Sequence, residues 1–189
     1  MQEPHFAGIT IFITFAIGKT HCNNKMHLRK ATYDDIPALL QLFENAKGIM
    51  RASGNIGQWG AGYPSTGIVR SDIDRGVCYV TAEAEGAPIE ATMAFIPGPD
   101  PTYARIEDGE WPNNDPYYVI HRIAVVTPGK GYARRLLDWA FKHSSTVRID
   151  THRDNVIMHH ILRSYGFKYC GVIHLANGDA RDAYQMTQL

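Results

Sequence analysis

The chain has 189 residues, a length that suits one globular domain. Lysine plus arginine and aspartate plus glutamate each number 19, so the overall charge gives no attraction toward nucleic acid or an anionic membrane. The cysteines, Cys22, Cys78 and Cys170, are too widely spaced for a metal motif or a disulfide framework, which favours a reducing, cytoplasmic location.

The first residues differ in character from the rest of the chain. Ala7–Gly18 is an apolar run shorter than a membrane span, and residues 1–5 lack the positive start of a signal peptide. We interpret residues 1–25 as an N-terminal extension that lies outside the core and forms at most a strand. A cleaved or anchoring leader is the alternative. Residues 26–189 are predicted to form a single domain.

The chain after Met26 alternates between strand and helix patterns. A strand is predicted at His27–Ala31, and apolar residues at helical spacing then predict a helix: Ile36, Leu39, Leu40 and Phe43. Ala46–Arg75 is predicted to hold a short helix and an irregular segment. Val77–Glu83 and Pro88–Ile96 have the pattern of a β-hairpin, and prolines mark a loop over residues 97–116.

The most informative stretch, Tyr117–Phe141, predicts a strand, a tight turn and a helix. β-Branched and aromatic residues fill Tyr117–Val126, and apolar residues recur at helical spacing after the turn. The turn itself is Gly129-Lys130-Gly131. A glycine turn that opens a helix presents unpaired N–H groups at the positive end of the helix dipole, where phosphate binds readily. A plain strand–helix loop with a cap explains the same residues.

A second strand–helix block comes next in the chain. Val147–His152 predicts a strand by alternation, and Asp154 or Asn155 is expected to cap a helix that ends at Gly166. The final strand is predicted at Ala183–Leu189.

The glycine turn resembles a known cofactor motif. Val125–Leu137 resembles the acetyl-coenzyme A motif of the GNAT superfamily of N-acetyltransferases, with Gly131 and Ala133 at its glycine and alanine positions. Pro128 stands where the family usually has Gln or Arg, so the sequence departs from the motif there.

The second block also resembles this family, in the expected order and at the expected distance. Asn155, Gly166 and Phe167 match the family spacing, whereas Met158 replaces a frequent Ala and Leu162 a frequent Tyr. The resemblance implies an α/β (α+β) fold: a mixed, mostly antiparallel central sheet flanked by helices, with splayed central strands.

The same resemblance implies acetyl-CoA as the co-substrate and no metal. The residues that would hold it are Val125, Gly129, Lys130, Gly131, Tyr132, Ala133, Arg134 and Asn155. The implied chemistry is aminolysis, in which a neutral amine attacks the thioester and a base takes its proton. Many members use a carboxylate as base, but the central strand offers His121, whose ordinary pKa of about 6.5 suits that role. A hydrogen-bonded structural histidine is the alternative interpretation.

Other residues compete for the catalytic roles. Asp150, His152 and Glu110 are reserve candidates for the base. Tyr165 is the candidate general acid, because Leu162 cannot donate a proton, although a packed core tyrosine explains Tyr165 equally.

The acceptor is less defined by the sequence. Trp59 and Tyr63 either line the acceptor cleft or anchor the core. The acidic residues of the 97–116 loop are either a solvated surface or an attraction for a cationic amine: Asp100, Glu107, Asp108, Glu110 and Asp115.

We therefore expect an N-acetyltransferase that uses a primary amine of a small molecule or a peptide. A non-catalytic acyl-CoA-binding sensor or interaction module on the same fold is the main alternative, and a phosphate-binding α/β domain unrelated to CoA is a third. No nucleic acid or membrane partner is expected, and a homodimer is one assembly that the sequence leaves open.

Overall fold

The computed structural model describes residues 27–188, so the predicted N-terminal extension lies outside the described residues. The strands are β1 (His27–Lys30), β2 (Cys78–Ala82), β3 (Ala91–Pro97), β4 (Tyr118–Val125), β5 (Thr146–Thr151), β6 (Lys168–His174) and β7 (Ala180–Thr187). The helices are α1 (Ile36–Ala52), α2 (Thr66–Asp74), α3 (Tyr132–Ala140) and α4 (Val156–Tyr165). Short 3-10 turns occupy Tyr33–Asp35 and Pro101–Tyr103.

The strands form one sheet in the order β1-β2-β3-β4-β5-β7-β6. Neighbours are antiparallel except β4 and β5, which run parallel. Successive side chains of a strand point to opposite faces: Tyr79 packs with the cluster that includes α3 and α4, whereas Val80 packs with α1. The predicted mixed, mostly antiparallel sheet flanked by helices is confirmed. Among residues 27–188, no helix is both long and apolar enough to cross a membrane.

The two central strands part soon after they meet. β4 and β5 pair at Tyr118–Val147 and at Val119–Arg148. Within the described chain they make no further pairing, although β4 continues to Val125 and β5 to Thr151. The predicted splay of the central strands is therefore confirmed, and it leaves an opening in the middle of the sheet.

A β-bulge in β4 lies beside this opening. Ala94 pairs with His121 and Thr92 with Ala124, so β4 has one residue more than β3 in between. Such an extra residue bends a strand and redirects its side chains. Arg122 at the bulge has a φ of 53°, a left-handed conformation that costs a non-glycine residue about 1–2 kcal/mol.

A buried ion pair secures the bulge to α2. The guanidinium of Arg122 donates to both carboxylate oxygens of Asp72, over 2.7 and 2.9 Å. The two side chains are only 11% and 6% exposed. Because bidentate pairing satisfies both charges, this contact offsets the strain of the bulge.

The segment between β3 and β4 is irregular but firmly attached. The guanidinium of Arg148 on β5 lies between the rings of Trp111 and Tyr117, 3.9 and 3.8 Å from their centroids. It also donates to Gln185 and to the carbonyl of Asn113. Burial lowers the pKa of Arg148, and the aromatic faces compensate part of that cost. This stack fixes the loop over residues 98–117 against β5.

The last strand begins earlier than predicted, at Ala180 instead of Ala183. Leu175 and Asp179 close a tight hairpin around Gly178, which has a φ of 87°. Pairing with β6 then starts at once, between His174 and Ala180.

Candidate active site

The glycine turn leaves the first amides of α3 open. Gly129 and Gly131 have φ values of 78° and 76°, which favour glycine. Among residues 27–188, no acceptor bonds the amides of residues 131–134. A Cβ placed on either glycine would meet no atom within 4 Å. The turn therefore presents free N–H groups, at the positive end of a helix, to open space.

A cavity of about 370 Å³, here called the glycine-turn cavity, lies over these amides. Its walls come from α1, the end of β4, the turn and α4: Ala46, Ile49, Met50, Val125, Pro128, Gly129, Gly131, Tyr132, Ala133, Arg134, Asn155, Ile157, Met158, His160, Ile161, Ser164 and Tyr165. Of the residues predicted to hold acetyl-CoA, only Lys130 is outside this wall; it is exposed on the turn. The hydroxyl of Tyr132 donates to Glu90 over 2.6 Å and ties the turn to β3.

A second cavity of about 660 Å³, the central cavity, lies where β4 and β5 part. It is lined by the two strands, the loop after α1 and the β6–β7 turn: Met50, Ile56, Gly57, Gln58, Trp59, Gly60, Tyr63, Thr102, Ile120, His121, Arg122, Ile123, Ile149, Asp150, Thr151, Asn155, Met158, Leu175, Ala176, Asn177, Asp179 and Arg181. Met50, Asn155 and Met158 line both cavities. The two cavities therefore meet at the start of α4.

Asn155 lies at this meeting point and is fixed there. Its Oδ1 accepts the amide of Met158 over 3.1 Å, the contact of a helix N-cap. Its Nδ2 donates to Oε1 of Gln58 over 3.2 Å. The same Gln58 oxygen accepts from the Thr151 hydroxyl and the His152 amide, over 3.1 and 2.8 Å. Gln58 thus links the loop after α1 to the far half of the sheet.

His121 projects into the central cavity between two carboxylates. Its Nε2 lies 3.0 Å from Oδ2 of Asp100, and its Nδ1 lies 3.6 Å from Oδ1 of Asp150. The hydrogen bond with His121, helped by the Thr102 amide, lowers the pKa of Asp100 to about 2. The hydroxyl of Tyr103 donates to Asp150 over 2.7 Å, and burial raises the pKa of Tyr103 well above its usual value. His121 is thus held at one ring nitrogen and faces the cavity with the other.

The sequence marks Asp100 only as one of the acidic residues of the 97–116 loop and gives it no role beside His121. Asp108, Glu110 and Asp115 are exposed, as the surface interpretation of the acidic loop predicts. Asp100 is different, because its side chain is only 15% exposed and contacts His121. The Asp100–Pro101 pair did carry a local signal, since Asp100 caps the short 3-10 turn that comes after it.

The remaining catalytic candidates lie elsewhere. Tyr165 lines the glycine-turn cavity and not the central cavity, and its hydroxyl donates to Asp138 over 2.8 Å. His152 lies just after β5 and lines neither cavity. Glu110 is exposed on the loop before β4 and lines neither as well. Of the predicted catalytic and reserve residues, the structure brings only Asp150 close to His121.

The core interpretation and the cavity-wall interpretation of the aromatic residues Trp59 and Tyr63 are compatible. Trp59 packs edge-on against Phe43 of α1, with ring centroids 5.6 Å apart, and so belongs to the core. Trp59 and Tyr63 also line the central cavity, where the Tyr63 hydroxyl accepts from Arg122 over 3.3 Å.

Comparisons with known proteins gave matches by structure. No protein-family model and no curated protein matched the chain. A GNAT-family acetyltransferase from Streptococcus agalactiae matches with 31% identity and a TM-score of 0.77, covering 87% of this chain and 96% of that one. A second, from Listeria monocytogenes, has 19% identity and a TM-score of 0.64, covering 86% and 95%. The NatC complex bound to Gag peptide and CoA has 12% identity and a TM-score of 0.57, covering 87% and 99%.

The last two similarities show the fold alone. The first one combines the fold with substantial sequence identity over nearly the whole of its relative. The chain therefore belongs to the GNAT family of acetyltransferases.

Proposed function

We propose that this protein transfers the acetyl group of acetyl-CoA to a primary amine of a small molecule or a peptide, within a ternary complex. The observation that carries the proposal is the meeting of two cavities at Asn155: one lies over free amides, the other around a held histidine. The similar NatC structure contains both CoA and a peptide, which supports this pairing of ligands.

The glycine-turn cavity fits coenzyme A. The unpaired amides of residues 131–134 suit a pyrophosphate, because a helix N-terminus binds anions through its N–H groups. The open space beside Gly129 and Gly131 admits a bulky group close to the backbone. Val125 and Asn155 would then contact the arm, on the way to the central cavity. Acetyl-CoA supplies an activated acetyl group as a thioester.

His121 would take the proton from the amine. Asp100 holds Nε2, which leaves Nδ1 as the nitrogen that accepts a proton in the central cavity. Once protonated, the imidazolium would lie between the carboxylates of Asp100 and Asp150, which stabilise its charge.

A direct assay tests the proposal. The purified protein is incubated with acetyl-CoA and a panel of amines, and the free thiol released is measured. We expect turnover with at least one amine, and a loss of about 100-fold or more in kcat for His121→Gln, the usual scale of general acid–base catalysis. His27→Gln, an exposed histidine on β1, is the matched control and should retain full activity.

A non-catalytic sensor of acyl-CoA is the second candidate. It is favoured by Leu162, which is fully buried where the family often has a tyrosine, and by Tyr165, whose hydroxyl already bonds Asp138. The sensor would bind CoA tightly and release no thiol with any amine. That result would replace the enzyme by the sensor.

A further inference from the structure

The charges around the central cavity are unevenly matched. Two guanidinium groups reach its wall, and both are already satisfied. Arg122 gives Nε and one terminal nitrogen to Asp72, and its other terminal nitrogen donates to Tyr63. The Arg122 charge is therefore neutralised within the wall itself.

The second guanidinium is occupied as well. Arg181, with a side chain only 4% exposed, donates to the carbonyls of Ala180, Gly57 and Gln58 over 3.0, 3.4 and 3.3 Å. The Asp179 carboxylate lies 3.6 Å from the same group. Arg181 therefore holds the loop after α1 in place and has little charge to offer a ligand.

The carboxylates are in excess. Asp150 lines the cavity with no lysine or arginine partner among residues 27–188, and Asp100 stands behind His121. The rest of the wall is largely apolar or aromatic: Met50, Ile56, Trp59, Ile120, Ile123, Ile149 and Leu175. Such a wall favours a cation with an apolar body, and among the described residues it holds no lysine and no unpaired arginine for a second, negative group.

Building on the function proposed above, we propose that the acceptor is an amine whose immediate neighbourhood is uncharged: an alkyl or arylalkyl amine, or a chain terminus whose carboxyl is blocked as an amide. An amine that carries a carboxylate on the same carbon is disfavoured, because its negative charge would be buried where residues 27–188 provide no free cation to pair with it. Free α-amino acids are therefore poor acceptors.

The test uses pairs of acceptors that differ in one carboxylate. The α-amino acid of each pair is the less basic amine, which gives it more of the neutral form and so works against the expected result. Phenethylamine is compared with phenylalanine, and 3-methylbutylamine with leucine, by kcat/KM from thiol release. We expect the amine of each pair to exceed the amino acid by about 100-fold or more. Hexylamine and 6-aminohexanoate form the control pair, since a remote carboxylate can stay in solvent; their ratio should stay within about fivefold.

A variant links the selectivity to the wall. Asp179→Asn removes the carboxylate beside Arg181, so we expect the ratio between phenethylamine and phenylalanine to fall by about threefold or more. Asp34→Asn, at an exposed carboxylate in the 3-10 turn Tyr33–Asp35, should leave the ratio unchanged.

The outcomes separate the two proposals. Equal kcat/KM within the first two pairs overturns this inference and leaves acetyl transfer intact. If no amine is turned over, the proposal of acetyl transfer is wrong. The inference about the acceptor is then tested by calorimetry, which measures amine binding to the protein with coenzyme A bound. Binding of phenethylamine about tenfold or more tighter than phenylalanine supports it. Equal binding, or no binding of either, overturns it.

Discussion

Replacement of Asp100 by alanine tests how the histidine is held. The pKa of Asp100 falls from its usual 3.8 to about 2, which corresponds to about 2.5 kcal/mol at about 1.4 kcal/mol per pKa unit. His121 is the largest cause, burial opposes it and the Thr102 amide adds to it, so this net figure sets the order of magnitude of the interaction that holds the imidazole. A loss of that size lowers a rate by about 60-fold. We therefore expect Asp100→Ala to lower kcat by between about 10-fold and 60-fold.

Steady-state kinetics with acetyl-CoA and a good amine acceptor provide the measurement. The KM for acetyl-CoA should stay unchanged, because Asp100 does not line the glycine-turn cavity. Asp100→Asn should cost less, since the amide oxygen still accepts from Nε2 of His121. Glu107→Gln is the control, an acidic residue of the same loop that is 40% exposed and pairs with Arg105; its kcat should stay within about twofold of the unaltered protein.

The same carboxylate gives a pH signature in stability. Because the folded pKa of Asp100 is depressed, its charged form stabilises the fold above about pH 4, and this contribution is lost as the pH falls from about 4 toward 2. The difference in unfolding free energy between the unaltered protein and Asp100→Asn should shrink as the pH falls from about 4 toward 2.

Two results would refute this reasoning. A kcat for Asp100→Ala within about twofold of the unaltered protein would mean that Asp100 does not position the catalytic base. A loss above about 1000-fold would far exceed an interaction of this order and mean that Asp100 itself acts on the reacting groups.

Three further substitutions test other parts of the site. Gly131→Ala should raise the KM for acetyl-CoA about tenfold or more by crowding the free amides. Gly86→Ala, with a similar φ and equally open surroundings, should lower the unfolding free energy by the same amount, about 1–2 kcal/mol, and leave KM unchanged; a raised KM in both would argue against cofactor binding at the free amides of the glycine turn. Arg122→Met should lower the unfolding free energy by about 3–5 kcal/mol, or the melting temperature by about 6–20 °C, because Asp72 is left buried and unpaired. Arg122→Met/Asp72→Leu should regain at least half of that, and equal melting of single and double variants would argue against the ion pair. Tyr165→Phe should keep kcat within about tenfold, about 1.4 kcal/mol, because the hydroxyl is already bonded; a loss of several hundredfold would make it the general acid.

Local patterns predicted the fold well. The strand–turn–helix around Gly131 and the block from Val147 to Gly166 carry their information in residues close in sequence, where propensity and capping act. The bulge at Arg122 could not be predicted, because arginine has no preference for a positive φ. A partner on α2, far away in sequence, keeps the bulge in place.

The site was predictable in part for the same reason. The glycine turn needs only its own backbone, and the sequence shows it directly. Asp100 reaches His121 because the loop before β4 is fixed by the stack of Arg148 on Trp111 and Tyr117, and no local pattern encodes that path. The selectivity proposed for the central cavity likewise rests on which charges neutralise each other in space, and the ion pair between β4 and α2 joins residues far apart in sequence.

The short parallel contact between β4 and β5 divides the sheet into two halves. One half holds β1–β4 and the other β5–β7, and the strand ladder joins them through only two residue pairs among the described residues. A chain break in the turn at residues 142–145 would leave each half of the sheet with its own ladder of main-chain hydrogen bonds. Two fragments produced by this break should therefore reassociate. Acetyl-CoA that contacts both halves would strengthen the reassociation, so the fragment pair could serve as a complementation reporter of acyl-CoA levels.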